Sequence, residues 1–261
     1  MPLVDPVTMS SSIVKSAAAQ AAAPQSQAKE KETPAAPALQ PVQIKPTPAA
    51  QAARHGFPAL LAAIFAVRFP ALVDDPVSAM LTTLPAVAAI QLAYALVCLP
   101  AVGSSSAKPS RKLRPGEKKK SGDGGPNLPV TILVSLLLTT FITPALYVAF
   151  VCFGAPAYTY VSHTMLACAN LAVLTLFPLF YVHGVDGAAW SAVFSAGAPW
   201  DETYGGYIGG FVGAWLGAVP IPLDWDREWQ KWPVTIVAGM YGGYLLGRVL
   251  GGTVLWGKGG R

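Results

Sequence analysis

The sequence predicts an all-α, polytopic membrane protein with about six transmembrane helices in a bundle and a disordered N-terminal tail. Of its 261 residues, 53% are hydrophobic and only 12% are charged, whereas soluble domains carry about 25% charged residues. Beyond residue 55 the apolar runs are long enough to cross a bilayer, which takes about 20 residues per helix. Glycine repeats near the C-terminus also indicate a membrane protein, because such repeats let helices approach closely in a bilayer.

The first 55 residues are rich in Ala, Pro and Gln and show no apolar periodicity. Such a segment buries too little apolar surface to offset its chain entropy, so we expect residues 1–55 to be a disordered cytoplasmic tail. No basic stretch followed by an apolar core and a cleavage site is present, so we expect no signal peptide. Residues 56–261 are assigned to the transmembrane helical domain.

Six apolar segments are separated by proline, glycine and charged turns. They predict helices over Phe57–Val73, Val77–Leu99, Leu128–Phe153, Tyr158–His183, Glu202–Val219 and Val234–Trp256. The first is short and contains Arg68 and Pro70, so whether it fully spans the membrane stays open. The stretch 184–200 is rich in small residues, and we expect it to lie along the interface or to re-enter the membrane.

The basic residues are concentrated in the loop 103–127. Seven of the 18 Lys and Arg side chains lie there: Lys108, Arg111, Lys112, Arg114, Lys118, Lys119 and Lys120. The positive-inside rule makes this loop cytoplasmic, with contact to anionic lipid head groups as a further role. No aromatic residues are interleaved with the basic ones, so we exclude nucleic-acid binding as the reason for the net charge of +5. With six spans both termini are cytoplasmic, and the loop 220–233 is lumenal.

Two glycine ladders flank that lumenal loop. Their members repeat every four residues: Gly205, Gly209, Gly213 and Gly217, then Gly239, Gly243, Gly247 and Gly251. In water each such glycine weakens a helix by roughly 1 kcal/mol relative to Ala. In a bilayer the same spacing is a helix-packing signal. The ladders predict that the last two helices pack on each other, or that one ladder docks on a partner helix.

The loop between the ladders is the candidate interaction site for a protein partner or a lipid head group. The residues assigned to it are Pro222, Asp224, Trp225, Asp226, Arg227, Trp229 and Trp232. Prolines at its ends restrict φ and favour a stiff loop. Two alternatives stay open. The tryptophans are also typical of an aromatic belt at head-group depth, and a pair between Arg227 and a nearby carboxylate would fold the loop internally.

No catalytic or metal-binding constellation is evident, so we predict no catalytic residue, no metal and no cofactor. Asp224 and Asp226 are too few for a two-metal phosphoryl-transfer site, and no histidine is near them in sequence. The three cysteines are Cys98, Cys152 and Cys168, and none of them forms a CxxC pair.

Polar side chains within the predicted spans are a separate set of candidates, because lipid disfavours them. They are Arg68, Gln91, His163, Asn170 and Arg248. We expect Arg248 to extend toward the cytoplasmic interface. His163 and Asn170 share a helix face and either bond to neighbouring helices or line a cavity.

The segment Glu202–Gly251 resembles the PIG-F family of glycosylphosphatidylinositol (GPI) anchor biosynthesis proteins of the endoplasmic reticulum. The resemblance rests on Gly213–Ala218, Pro220–Arg227, Trp229-Gln230, Trp232-Pro233 and the second ladder. The tail and the basic loop carry no family signal and indicate a fungal elaboration.

The resemblance implies a multi-pass, non-catalytic subunit of the endoplasmic reticulum membrane. Such a subunit stabilises or assists the large ethanolamine-phosphate transferase that acts on mannose of the GPI-anchor precursor. The implied partners are transferase subunits, membrane lipids and the GPI precursor. The alternative is a membrane-embedded enzyme or lipid transporter that handles a phospholipid or glycolipid head group, with no internal repeat to support transport.

Overall fold

The computed structural model describes residues 39–104, 127–223 and 225–259, which belong to one unit, Ala38–Arg261. In these residues the secondary structure is helical, and no strand occurs. The helices are α1 (Pro48–Asp74), α2 (Pro76–Cys98), α3 (Leu128–Cys152), α4 (Val161–Leu171), α5 (Phe177–His183), α6 (Gly187–Phe194), α7 (Glu202–Leu216) and α8 (Val234–Gly252). The predicted all-α class is confirmed.

Five helical segments are long and apolar enough to cross a membrane within the described residues. They are Pro48–Asp74, Pro76–Cys98, Leu128–Cys152, Val161–His183 and Val234–Gly252. The fourth joins α4 to α5 through a π-helical turn, Ala172–Leu176. The helix α7 has 15 residues and is therefore about 22 Å long. It ends before the predicted Val219 because the chain turns from Gly217 toward Pro220.

The first helix begins well before the predicted Phe57. Pro48 occupies its first turn, where a missing N–H costs nothing, and the Thr47 hydroxyl accepts a hydrogen bond from the Ala50 N–H at 3.2 Å. Residues 48–55 are therefore helical, and the boundary assigned at residue 55 moves toward the N-terminus. Residues 1–38 of the predicted tail lie outside the described residues, as do residues 105–126 of the basic loop.

The helix α3 separates a lipid-type surface from a polar seam. Its outer face carries large apolar side chains, with Phe141 76% exposed. Its inner face buries hydroxyl side chains at every fourth position: Thr131, Ser135, Thr139 and Thr143. From Ser135 onward each of these hydroxyls donates to the carbonyl four residues earlier, as Thr139 does to Ser135 at 2.7 Å. These small residues allow close helix packing. This repeat of buried hydroxyl groups is not among the features predicted from the sequence.

The described core is formed mainly by α1, α2, the α4–α5 segment and α8. Large side chains such as Leu61, Leu171 and Met240 are fully buried there. Between α5 and α7, the short helix α6 is capped by Asp186, whose carboxylate accepts from the Ala188 N–H at 3.0 Å. This core positions the α7–α8 hairpin, which carries the predicted site.

Candidate functional site

The helices α7 and α8 pack closely against each other through glycines along the whole hairpin. A Cβ added to Gly209 would lie 2.8 Å from the Gly247 Cα and would overlap the Gly243 carbonyl oxygen. The other ladder positions meet the opposite backbone in the same way, and the residues so packed are Gly205, Gly209, Gly213, Gly217, Gly239, Gly243, Gly247 and Gly251. The structure thus places the two predicted ladders face to face, in antiparallel order.

Each ladder is covered by the other, so neither is free to dock a partner helix. Gly242, the neighbour of Gly243, behaves differently, because no heavy atom lies within 4 Å of a Cβ built there. The close approach is therefore specific to the four-residue repeat. The hairpin consequently has a fixed register, with one end at Glu202 and the other at the loop that leads into Val234.

At one end of the hairpin a buried ionic cluster joins three helices. We call this end the basic-loop face, since the loop 103–127 connects helices there. The Glu202 carboxylate lies between two guanidinium groups, with Arg248 Nη2 at 2.6 Å from Oε2 and Arg54 Nε bonded to Oε1. These residues form the Glu202 triad. It ties the starts of α1 and α7 to the end of α8.

Arg248 is enclosed on its other sides by aromatic rings. Its guanidinium lies 4.2 Å from the Tyr94 ring centroid and 4.8 Å from that of Phe57, both within cation–π range. The side chain is only 3% exposed. Arg248 therefore reaches Glu202 at the start of α7, where it is buried and paired; its predicted extension to the cytoplasmic interface stays a prediction.

Asp201 anchors the segment 39–47 to the same end. Its carboxylate caps α7 by accepting from the Thr203 and Tyr204 N–H groups at 2.7 and 2.8 Å. It also accepts from the Val42 N–H at 2.9 Å. Burial raises the pKa of Asp201 to about 6, and these hydrogen bonds act in the opposite direction. Further along, the Lys45 N–H donates to the Cys98 carbonyl at 2.9 Å.

At the opposite end, the amide of Gln230 organises the connecting loop. Its Nε2 donates to the carbonyls of Pro220 and Leu223, both at 2.8 Å, and its Oε1 accepts from the Arg227 N–H at 3.0 Å. A neutral side chain therefore closes the loop. Within the described residues Arg227 forms no ion pair with a carboxylate. The predicted site residue Asp224 lies outside the described residues.

The loop presents an exposed tip, residues 225–228. Trp225 is 53% exposed, and Asp226, Arg227 and Glu228 are exposed beside it. The Trp225 ring meets the Trp229 ring edge to face, with 5.8 Å between their centroids. Pro222, also assigned to the site, is exposed. Four neighbouring side chains thus combine an aromatic ring, two carboxylates and one guanidinium on an accessible surface.

The other two loop tryptophans face inward. Trp229 and Trp232 are half-buried and pack against the core. Trp232 Nε1 donates to the Thr164 hydroxyl at 3.0 Å. Lys231 Nζ donates to the Asp74 carbonyl at 3.0 Å, which joins the loop to the α1–α2 turn. The residues assigned to one site therefore divide into an exposed tip and a buried base.

Comparison with known proteins decides the family. The model of the family described as "PIG-F: GPI biosynthesis protein family Pig-F" matches residues 56–252. The chain belongs to the PIG-F family. It is 62% identical to glycosylphosphatidylinositol anchor biosynthesis protein 11 of Neurospora crassa, over 99% of both chains. No solved structure matches the chain.

Other PIG-F relatives extend the comparison. A protein of the same name from Pyricularia oryzae is 46% identical over 98% of this chain and 96% of its own length. The mouse relative is named "GPI ethanolamine phosphate transferase, stabilizing subunit" and is 34% identical over 47% of this chain and 56% of its own. The resemblance drawn from Glu202–Gly251 is thereby confirmed.

Inside this PIG-F bundle, buried polar side chains form hydrogen bonds between helices. The Tyr241 hydroxyl donates to Asn170 Oδ1 at 2.9 Å. Gln91 Nε2 donates to the Leu174 carbonyl at 2.7 Å, in the π-helical turn where the normal helical pattern is broken. His163, expected to act with Asn170, instead meets Tyr160 edge to face at 5.1 Å.

A small cavity lies beside Asn170. Its wall includes Arg68, Thr83 and Tyr241, and its volume is about 20 Å³, enough for about one water molecule. The Arg68 guanidinium bonds to the hydroxyls of Thr82 and Thr83. This space is far too small for a lipid head group or a sugar.

The described residues contain no metal-type cluster. No group of three or more His, Cys, Asp or Glu side chains in residues 39–104, 127–223 and 225–259 could hold a metal ion. The three cysteines are free, with Cys98 and Cys168 buried and Cys152 exposed.

Proposed function

We propose that this chain is a non-catalytic membrane subunit that stabilises an ethanolamine-phosphate transferase acting on mannose of the GPI-anchor precursor. Family membership and the name of the mouse relative support this role. The observation that carries it is the exposed tip 225–228, held on a hairpin whose two glycine faces pack on each other. The tip can bind a partner without any change in the fold.

The proposed location is the endoplasmic reticulum membrane, with the basic-loop face in the cytoplasm and the tip in the lumen. Seven basic residues within the loop 103–127 support this orientation under the positive-inside rule. Both termini then lie in the cytoplasm. The family resemblance implies a lumenal catalytic domain in the transferase, and such a domain would lie on the side of the tip.

We assign partner binding to the tip because its groups are available. Trp225 offers an exposed ring, the kind of side chain that dominates binding energy at interfaces. Arg227 has no carboxylate partner within the described residues, so its guanidinium can pair with an acidic group of the transferase. The stiff base formed by Gln230, Trp229 and Trp232 limits the entropy lost on binding.

The test is recovery of the transferase from membranes in mild detergent, using the tagged full chain. Trp225→Ala is expected to reduce recovery several-fold. Trp215→Ala is the matched control, since Trp215 is 64% exposed on α7 of the same hairpin and is not one of the tip residues 225–228. Equal recovery with both variants would rule out the tip as the contact.

A second measurement addresses the accessory role. We expect the purified chain alone to transfer no ethanolamine phosphate, and addition of the transferase to restore synthesis. Turnover by the chain without any partner would contradict the proposal and favour a membrane-embedded enzyme.

A further inference from the structure

An open pocket at the basic-loop face has the charge and the position of a phosphate site. Its volume is about 330 Å³, within the roughly 300–1,000 Å³ range of small-ligand sites. Its wall is formed by Gln43, Ile44, Gln51, Arg54, Gly252 and Trp256. Of these residues only Gly252 lies inside the segment 56–252 that the family model matches. Most of the pocket wall is therefore formed by residues outside the segment that the family model matches.

The charge of the pocket follows from the Glu202 triad. One carboxylate serves two guanidinium groups, so the triad carries one surplus positive charge. Arg248 is enclosed, at 3% exposure, whereas the Arg54 side chain is 29% exposed and forms part of the pocket wall. The guanidinium group of Arg54 therefore presents the surplus positive charge to the pocket.

The neighbouring carboxylate of Asp201 adds a negative charge at this end of the bundle, but it is held away from the pocket. It accepts three backbone N–H groups, from Val42, Thr203 and Tyr204, and it is not part of the pocket wall. Arg54 uses Nε for Glu202, and Nη2 makes only a long contact of 3.4 Å to the Gly252 carbonyl. Its remaining N–H groups, with the exposed amides of Gln43 and Gln51, supply donors for an anion.

The position of the pocket indicates which anion it takes. Arg54 is six residues into α1, about 9 Å along the helix, and Gly252 is the last residue of α8. Trp256 follows that end and contributes an amphipathic ring to the wall, a side chain typical of the membrane–water interface. Because the pocket lies at the ends of two apolar helices and beside an interfacial type of side chain, we expect it at the depth of phospholipid head groups.

We propose that this pocket binds the phosphate of an anionic phospholipid head group in the leaflet at the basic-loop face. Arg54 is the anchoring cation, Gln43 and Gln51 donate to the phosphate oxygens, and Trp256 borders the glycerol region. Bound lipid holds the segment 39–47 and the start of α1 against the end of α8. This inference does not depend on the transferase or on the tip.

The test uses a charge change at Gln51, an exposed wall residue whose replacement leaves the triad intact. Binding of phosphatidic acid to the purified full chain is measured by native mass spectrometry, with inorganic phosphate and phosphatidylcholine as separate probes. Gln51→Glu is expected to weaken phosphatidic acid binding about tenfold, and Gln51→Lys to strengthen it, because a unit charge is placed within several ångströms of the phosphate. Ala49→Glu, at an exposed position of α1 outside the pocket wall, is the control.

Four results would overturn the proposal. The first is equal binding by the Glu and Lys variants at position 51. The second is phosphatidylcholine binding as tightly as phosphatidic acid, which would remove the role of net charge. The third is inorganic phosphate binding as tightly as the lipid, which would exclude the membrane as the source. Loss of lipid binding in Ala49→Glu to the same extent as in Gln51→Glu would likewise contradict a site within the pocket.

Discussion

The two ends of the α7–α8 hairpin use charge in opposite ways. At the basic-loop face Glu202 and Arg248 are almost completely buried and paired with each other. At the other end Asp226, Arg227 and Glu228 are exposed. The buried charges must be satisfied inside the protein, because an unpaired ion in the bundle is costly. The exposed charges are solvated and remain accessible to a partner, with only a 3.7 Å contact between Glu228 and Lys231. One hairpin therefore carries a structural end and an interaction end.

The largest expected effect is at the structural end. Glu202→Gln leaves two guanidinium groups without their counter-charge, and removing one partner of a buried pair costs about 3–5 kcal/mol. We expect a large loss of thermal stability in detergent and reduced accumulation in membranes. The matched change at the interaction end is Glu228→Gln. The Glu228 side chain is 88% exposed and 3.7 Å from Lys231, so stability should change little. Similar losses in both variants would remove the distinction between the ends.

The next effect concerns the seam that joins the two ends. In Gly243→Ala the new methyl group meets the Gly209 carbonyl and the Gly213 Cα, and overpacking of this kind costs about 1–3 kcal/mol. Gly242→Ala, one residue earlier, meets nothing and should be neutral or slightly stabilising. Thermal unfolding of the two purified variants measures the difference. A neutral Gly243→Ala would show that the backbones are not in close contact.

A smaller effect is expected at the base of the interaction end. Gln230→Ala removes the hydrogen bonds that close the loop, each contributing about 0.5–1.5 kcal/mol in general and less where solvent competes. We expect faster amide hydrogen exchange in 220–230 and lower recovery of the transferase, with the unfolding temperature nearly unchanged. Protection equal to that of the unmodified chain would mean that Gln230 does not organise the loop.

The smallest effect on stability is expected at the tip itself. Arg227→Ala removes an exposed side chain with no ion pair in the described part of the chain. The free energy of unfolding should therefore change by no more than about 0.5 kcal/mol, as for ordinary surface substitutions. Recovery of the transferase should nevertheless fall. A variant that loses stability but keeps its partner would reverse the roles assigned to the two ends.

The sequence predicted the hairpin well because its signals are local and periodic. A four-residue glycine repeat and a proline-bounded loop can be read without knowing the fold. The Glu202 triad could not be found this way, since Arg54, Glu202 and Arg248 have no common spacing and meet only after folding. The signal that was available is that these charges stand at the ends of apolar segments.

Two further local patterns in the sequence indicate features that the structure contains: the start of α1 and the closure of the loop. Thr47 followed by Pro48 is a typical helix start, and it would have placed the beginning of α1 correctly. Arg227 and Gln230 have the spacing of a capping interaction, which the structure contains. The sequence predicted a possible ion pair of Arg227 as the closing interaction, whereas the neutral amide of Gln230 closes the loop.

The triad also has a consequence for biosynthesis. Arg54 and Glu202 are 148 residues apart in the chain, so at roughly 5–20 residues per second a ribosome makes the arginine about 7–30 s before the glutamate. During that interval the first helix enters the membrane with its cation unmatched. The triad can close only after α7 and then α8 have been made, because Glu202 and Arg248 belong to the last two helices of the bundle.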